Sequence, residues 1–295
     1  MTGTGSRPVV IGIDGSEGSR QALVWGLGLA QRRDAPVLLL RAVDPSLSHV
    51  IGGDYSPAGR PDLLAAGQEL LEKEQVTAQE GCPGLKITTL LVEEPAATAL
   101  VHESKGAEAV VVGSHGVSAF STLLAGSTTM NVATHAHCPV VALPSTPPDV
   151  GATGIVVGVD GTGLSDHAVD WAFREAADTG ESLTAVLAWM DPVVPGVIAA
   201  AFPVHDDPVD ALRRPHEILR AWLEPLTGTY PDVLVHRRVV REHPVHALTS
   251  TAATARLLVV GCRGRGPARS MMLGSVSHGV LHLAACPVAV IPHHD

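Results

Sequence analysis

Along the chain, short runs of Val, Ile and Leu alternate with longer stretches in which apolar residues return every three or four positions. Residues 8–13 form a short β-branched run, and residues 17–32 follow with helical spacing through Ala22, Trp25 and Leu29. Residues 36–43 are apolar again, residues 63–79 have a helical pattern, and residues 85–92 are strand-like. The pattern then predicts a helix over 95–104, a strand over 109–113, a helix over 121–134 and a last strand over 139–143. Strands that are apolar almost throughout are expected where helices cover both faces of a parallel sheet. Strict β–α alternation implies right-handed crossovers and a doubly wound α/β sheet.

This order occurs twice. Val9-Val10-Ile11-Gly12-Ile13-Asp14-Gly15-Ser16 returns as Ile155-Val156-Val157-Gly158-Val159-Asp160-Gly161-Thr162, with Asp14 and Asp160 separated by 146 positions. Gly113-x-x-Gly116 followed after nine residues by Gly126-Ser127 returns as Gly261-x-x-Gly264 and Gly274-Ser275, now at an offset of 148. Cys138-Pro139-Val140 and Cys286-Pro287-Val288 keep that offset. A steady offset across three separated motifs means two copies of one domain, assigned to residues 1–145 and 152–295. The Pro- and Ser-rich stretch 144–149 breaks both helix and strand and reads as the linker.

Composition narrows the function classes. The chain has 295 residues, enough for two ordinary domains, and 45% hydrophobic against 17% charged residues supplies packed cores rather than disorder. A formal charge of −10 with neutral His argues against general nucleic-acid binding, which needs a basic face. No apolar run reaches a membrane span, since residues 193–204 are broken by Pro195, Gly196 and Pro203. Residues 1–7 are short and polar, so a cytoplasmic chain is expected. The four cysteines form no C-x-x-C pair, and buried free thiols are the expectation.

The Gly-rich motifs carry the candidate chemistry. Glycines after a strand let the backbone turn tightly, and successive N–H groups there can cup a phosphate. Gly126-Ser127 and Gly274-Ser275 are positioned to open helices, whose N-termini favour anions. Asp14 and Asp160 end their first strands, where a carboxylate can accept from ribose hydroxyls or help hold Mg²⁺; the alternative is a helix N-cap, a role that Ser16 and Thr162 can also fill. Neither copy holds a Walker A loop or a G-x-G-x-x-G dinucleotide fingerprint. No G-x-S-x-G elbow supports a hydrolase triad. His135 and His137 beside Cys138 are matched in the repeat by Leu283 and Ala285, which weakens a metal reading. Trp25 and Trp171 occupy matching helical positions and are expected in the core.

With these motifs the sequence resembles the universal stress protein family in its tandem, ATP-binding form, over nearly its whole length. The resemblance implies two Rossmann-like, adenine-nucleotide hydrolase-like domains, each with a five-stranded parallel sheet of order 3-2-1-4-5. It implies ATP with Mg²⁺ as the ligand in each domain. The adenine would lie against Ala42 and Val43, or Ala188 and Trp189. Asp14, Gly15, Ser16 and Asp160, Gly161, Thr162 would approach the ribose or metal. The phosphates would meet Gly113, His115, Gly116, Gly126, Ser127 and Thr128, and in the second copy Gly261, Arg263, Gly264, Arg265, Gly274, Ser275, Val276 and Ser277.

The copies differ in charge. Arg263 and Arg265 flank the second loop, whereas the first has His115 and neither Lys nor Arg from Gly116 to Gly126, so a weaker first site is expected. The leading reading is a stress-response module in which ATP biases association with itself or with a regulatory protein partner, with slow or absent hydrolysis. A slow ATPase and a nucleotide-independent scaffold are the alternatives. The final strands are candidate edges for an internal pseudo-dimer, and the resemblance also suggests a homodimer. The segments 44–60 and 191–207 are expected as lids or surface loops.

Overall fold

The computed structural model describes residues 6–44, 59–114, 126–144, 151–189, 208–262 and 273–293. The first half runs β1 (Val9–Gly12), α1 (Glu17–Arg33), β2 (Val37–Ala42), α2 (Gly59–Gly81), β3 (Ile87–Val92), α3 (Ala96–Glu103), β4 (Ala109–Gly113), α4 (Ser127–His135) and β5 (Val140–Leu143). The second half repeats it as β6 (Ile155–Gly158), α5 (Asp166–Thr179), β7 (Leu183–Trp189), α6 (Pro208–Thr229), β8 (Val235–Arg241), α7 (Pro244–Thr251), β9 (Leu257–Gly261), α8 (Ser275–Leu283) and β10 (Val288–Ile291).

The strands form one ten-stranded sheet of order β3-β2-β1-β4-β5-β10-β9-β6-β7-β8. Within each half the order is 3-2-1-4-5 and every pairing is parallel, as expected. The halves join through their last strands, where β5 and β10 run antiparallel with Ala289 opposite Val141. The alternation of side chains along each strand divides the core in two. Val9 and Ile11 point to one face with α1 and α5, and Val10 points to the other with α3 and α7. Each face gathers residues of both halves, so the apolar layers run unbroken across the seam. Trp25 and Trp171 both pack into the first of these layers.

Local chemistry explains the helix ends. Ser16 caps α1 by accepting from the Ser19 N–H at 3.1 Å, and Arg32 and Arg33 lie in its last turn, where cations suit the helix dipole. Asp34 ends α1 at φ 49°, and its counterpart Gly180 ends α5 at φ 68°. The helix anticipated over 121–134 begins at Ser127, because Gly126 is extended at ψ 152°; residues 121–125 lie outside the described residues. The predicted 95–104 helix tightens into a 3-10 turn at Ser104–Gly106. In α6, Leu219 and Leu223 are one turn apart and fully buried, which holds the helix to the sheet despite the N–H groups missing at Pro215 and Pro225. All four cysteines are free and buried. Among the described residues no helix is long and apolar enough to cross a membrane.

Candidate functional site

In each half the strand order reverses between the first and fourth strands, and there the outgoing connections diverge at the carboxyl edge. β1 and β4 are paired neighbours, as are β6 and β9, so Asp14 and Gly113 end their strands side by side at one edge of the sheet, as do Asp160 and Gly261. Packing there is close. A Cβ on Gly113 would lie 2.7 Å from the carbonyl carbon of Gly18, in the first turn of α1. Gly113 therefore allows the strand to touch the helix start, a packing role that its sequence did not reveal.

The two aspartates shape the turns after the first strands. Asp14 Oδ1 accepts from the Ser16 N–H at 2.9 Å, and Asp160 Oδ1 accepts from the Thr162 N–H at 2.8 Å. Gly15 and Gly161 stand between donor and acceptor at φ 84° and 70°, where a side chain would be strained. Neither aspartate is the helix cap; Ser16 caps α1, and Thr162 caps the 3-10 turn Gly163–Ser165 that precedes α5. In the second half the Thr162 hydroxyl lies 2.8 and 2.9 Å from the two Asp160 oxygens, and Ser165 Oγ lies 3.1 Å from Oδ1. These hydroxyls hold the carboxylate within its turn.

The Gly-rich loops are tied at their bases. Ser114 and Cys262 donate their N–H groups to Leu143 and Ile291, continuing the sheet by one residue. Gly126 then donates back to the Ser114 carbonyl at 2.6 Å, and Gly274 to the Cys262 carbonyl at 2.8 Å. Thr129 Oγ1 donates to the Gly113 carbonyl at 2.9 Å, and Ser277 Oγ to the Gly261 carbonyl at 2.6 Å. Both hydroxyls are buried, and that of Ser277, a residue expected among the ligand contacts, anchors α8 to β9. Gly126 and Gly274 bring no side chain to cap α4 and α8, and Ser127 and Ser275 are exposed at the helix starts. The helix starts thus carry first-turn backbone N–H groups beside exposed hydroxyls.

The remaining predicted contacts divide. Ala42, Val43, Ala188 and Trp189 all lie at the crevice end of their strands and are half-buried. The Val43 N–H donates to the Val92 carbonyl at 2.9 Å, extending the β2–β3 ladder by one residue. Thr128 and Val276 are half-buried in the first turns of α4 and α8. His115, Gly116, Arg263, Gly264 and Arg265 lie outside the described residues, as do the segments 45–58 and 190–207.

Four features escaped the sequence reading. Gly18 makes the close approach to Gly113, and a glycine in the first turn of a helix was the available signal. Arg41 reaches back from β2 to the Ile13 carbonyl at 3.4 Å, and in the second half Leu187 takes its place. Arg241 lies over the Trp189 ring at 5.6 Å, which fixes the indole at the edge of the second crevice. Asp166, His167 and His293 gather near Asp160; partial loss of hydration holds the Asp166 carboxyl above its ordinary range, with His167 and His293 pulling it down and Asp160 pushing it up.

Comparison with known proteins settles the lineage of this arrangement. The model of the universal stress protein family matches residues 5–144 and again 153–292. The chain belongs to the universal stress protein family. It is similar to universal stress protein Rv2005c of Mycobacterium tuberculosis, at 35% identity over 299 residues and 96% of each chain. A universal stress protein of Mycolicibacterium smegmatis is 32% identical over 290 residues, again covering 96% of each chain. Among solved structures, a universal stress protein from Archaeoglobus fulgidus has the same fold, with a TM-score of 0.71 at 20% identity over 98% of this chain and 97% of that one. Family membership supports a role in the stress response.

Proposed function

We propose that each half of this universal stress protein binds ATP with Mg²⁺ in the crevice between its first and fourth strands, and that occupancy regulates the protein's associations. The observation that carries the proposal is the duplicated pairing of an aspartate turn with a helix start whose N-cap is glycine, across a strand-order reversal. An open parallel sheet collects ligands at such a reversal, and a helix start with free N–H groups attracts anions. In this reading Asp14 and Asp160 accept from a ribose or help hold a phosphate-bound cation. Backbone donors and the Asp14 and Asp160 turns, with Asp166, His167 and His293 beside Asp160 in the second half, are the groups nearest the proposed ligand, and the proposal carries slow or absent hydrolysis with it.

Arg263 and Arg265 belong to the second loop alone, and the second site therefore binds more tightly. The test is to release small molecules from gently purified protein by denaturation, identify them by liquid chromatography, and titrate the stripped protein with Mg-ATP. Bound ATP or ADP is expected. At about 100 times Kd, Mg-ATP should stabilise the fold by about 2.7 kcal/mol. Gly264→Asp should remove the tighter phase and Gly116→Asp the weaker one, because each places a carboxylate in a phosphate loop. Absence of both bound nucleotide and a thermal shift would overturn the proposal, and equal loss in the two variants would overturn the ranking of the sites.

A further inference from the structure

The seam between the halves has an internal two-fold axis. Val141 and Ala289 hold the same place in the repeat and sit opposite each other at the centre of the β5–β10 ladder. The equivalent helices α1 and α5 cover the same face on either side of this axis. Their C-terminal turns meet through charge. Arg32 Nη2 donates to Glu175 Oε1 at 2.5 Å, Arg33 Nη2 donates to Glu175 Oε2 at 3.3 Å, and Arg33 Nη1 donates to Asp178 Oδ2. The Glu175 side chain is 3% exposed and that of Arg33 10%.

The repeat makes this cluster informative. Helix positions correspond at the offset of 146 residues, so Asp178 stands where Arg32 stands, Thr179 where Arg33 stands, and Glu175 where Leu29 stands. Each half therefore brings charge of one sign, and the buried carboxylate belongs to the second half alone. The strands do not discriminate, because Val140–Leu143 and Val288–Ile291 are both short, apolar and buried throughout.

We infer that this cluster makes the seam a docking face whose partner must be the unlike half, from the same chain or from a second copy, and that it excludes pairing of like halves. Two first halves turned on the same axis would set Arg33 against Arg32, with Leu29 in place of the bridging carboxylate. Two second halves would set Glu175 against Asp178 and Thr179, leaving a buried carboxylate without a cation. A buried charge deprived of its partner is strongly destabilising, whereas a matched pair is near neutral, so the cluster acts mainly as a penalty on the wrong pairing. Any exchange of halves between chains is thereby restricted to reciprocal pairs, first with second and second with first.

Three full-length variants test this: Arg32→Glu/Arg33→Glu, Glu175→Arg/Asp178→Arg, and the four changes together. Each double variant makes its own seam like-charged, and its melting point should fall by roughly 5–10 °C, with most of the loss recovered in the quadruple variant. The two double variants carry complementary halves. Unfolded together and refolded in equal amounts, they should give two-chain species, read by native mass spectrometry, that hold one chain of each at least several-fold more often than two of the same. Co-refolding reads the pairing even if neither double variant refolds alone. A quadruple variant no more stable than the doubles, or like-variant pairs as frequent as mixed ones, would overturn the inference.

Discussion

Replacing Gly113 with alanine tests whether the crevice is held by backbone contact. The added Cβ would lie 2.7 Å from the Gly18 carbonyl carbon, 3.0 Å from its Cα and 3.0 Å from its oxygen. All three atoms are backbone, so no side chain can rotate away; either β4 or the first turn of α1 must shift. Gly12→Ala on the neighbouring strand is the matched control. Its Cβ would lie 3.2 Å from Val112 Cγ1, a side-chain methyl that can yield by a few tenths of an ångström. Overpacking of the first kind costs about 2–3 kcal/mol and of the second about 1 kcal/mol or less. For a cooperative unit of one half, the difference is a fall in melting point of roughly 4–8 °C for Gly113→Ala against 1–3 °C for Gly12→Ala. Calorimetry or circular-dichroism melting reads both. Because the shift moves the first turn of α1, next to the Asp14–Ser16 turn, against the end of β4, the stabilisation by Mg-ATP should also shrink in Gly113→Ala and persist in Gly12→Ala. Equal melting points for the two variants would refute the assignment of Gly113 to backbone contact.

Two further outcomes follow from buried groups. Burial pushes the Cys138 thiol up to about 12 and the Cys286 thiol up to about 11. Both stay protonated in the fold, so from about pH 9 upward the unfolded chain releases protons that the native one retains. Stability should then fall by about 1.4 kcal/mol per pH unit for each thiol, and Cys286→Ala should flatten that slope in denaturant titrations. Thr129→Val should leave the Gly113 carbonyl without its hydroxyl donor, costing about 1–2 kcal/mol in chemical denaturation. Ser277→Ala should do the same at Gly261, and wild-type stability in both variants would show that the hydroxyls do not anchor the helices.

Sequence by itself determined the architecture of each half. The apolar runs are near-continuous because helices cover both faces of the sheet, and this periodicity is local enough to read directly. The repeat was equally legible, since an offset is a property of sequence alone. Helix ends were less so: Gly126 halts the backward extension of α4 through its own extended backbone, although the residues before it carry helical spacing. Position in the crevice was also legible, because a residue at the carboxyl end of a first or fourth strand faces the reversal point whatever its neighbours are.

Only the tertiary structure decided what those residues do there. Gly113 is filled by Gly18, nearly a hundred residues away in the chain. The Val43 N–H is taken by Val92, and the Ser277 hydroxyl by the Gly261 carbonyl. The Arg32, Arg33, Glu175 and Asp178 cluster is formed by helices some 140 residues apart. The physical reason is common to all four. Whether a glycine, an amide or a charge meets ligand or protein depends on which distant backbone reaches it first, and that is set by how helices pack and where the two halves meet, not by any pattern along the chain.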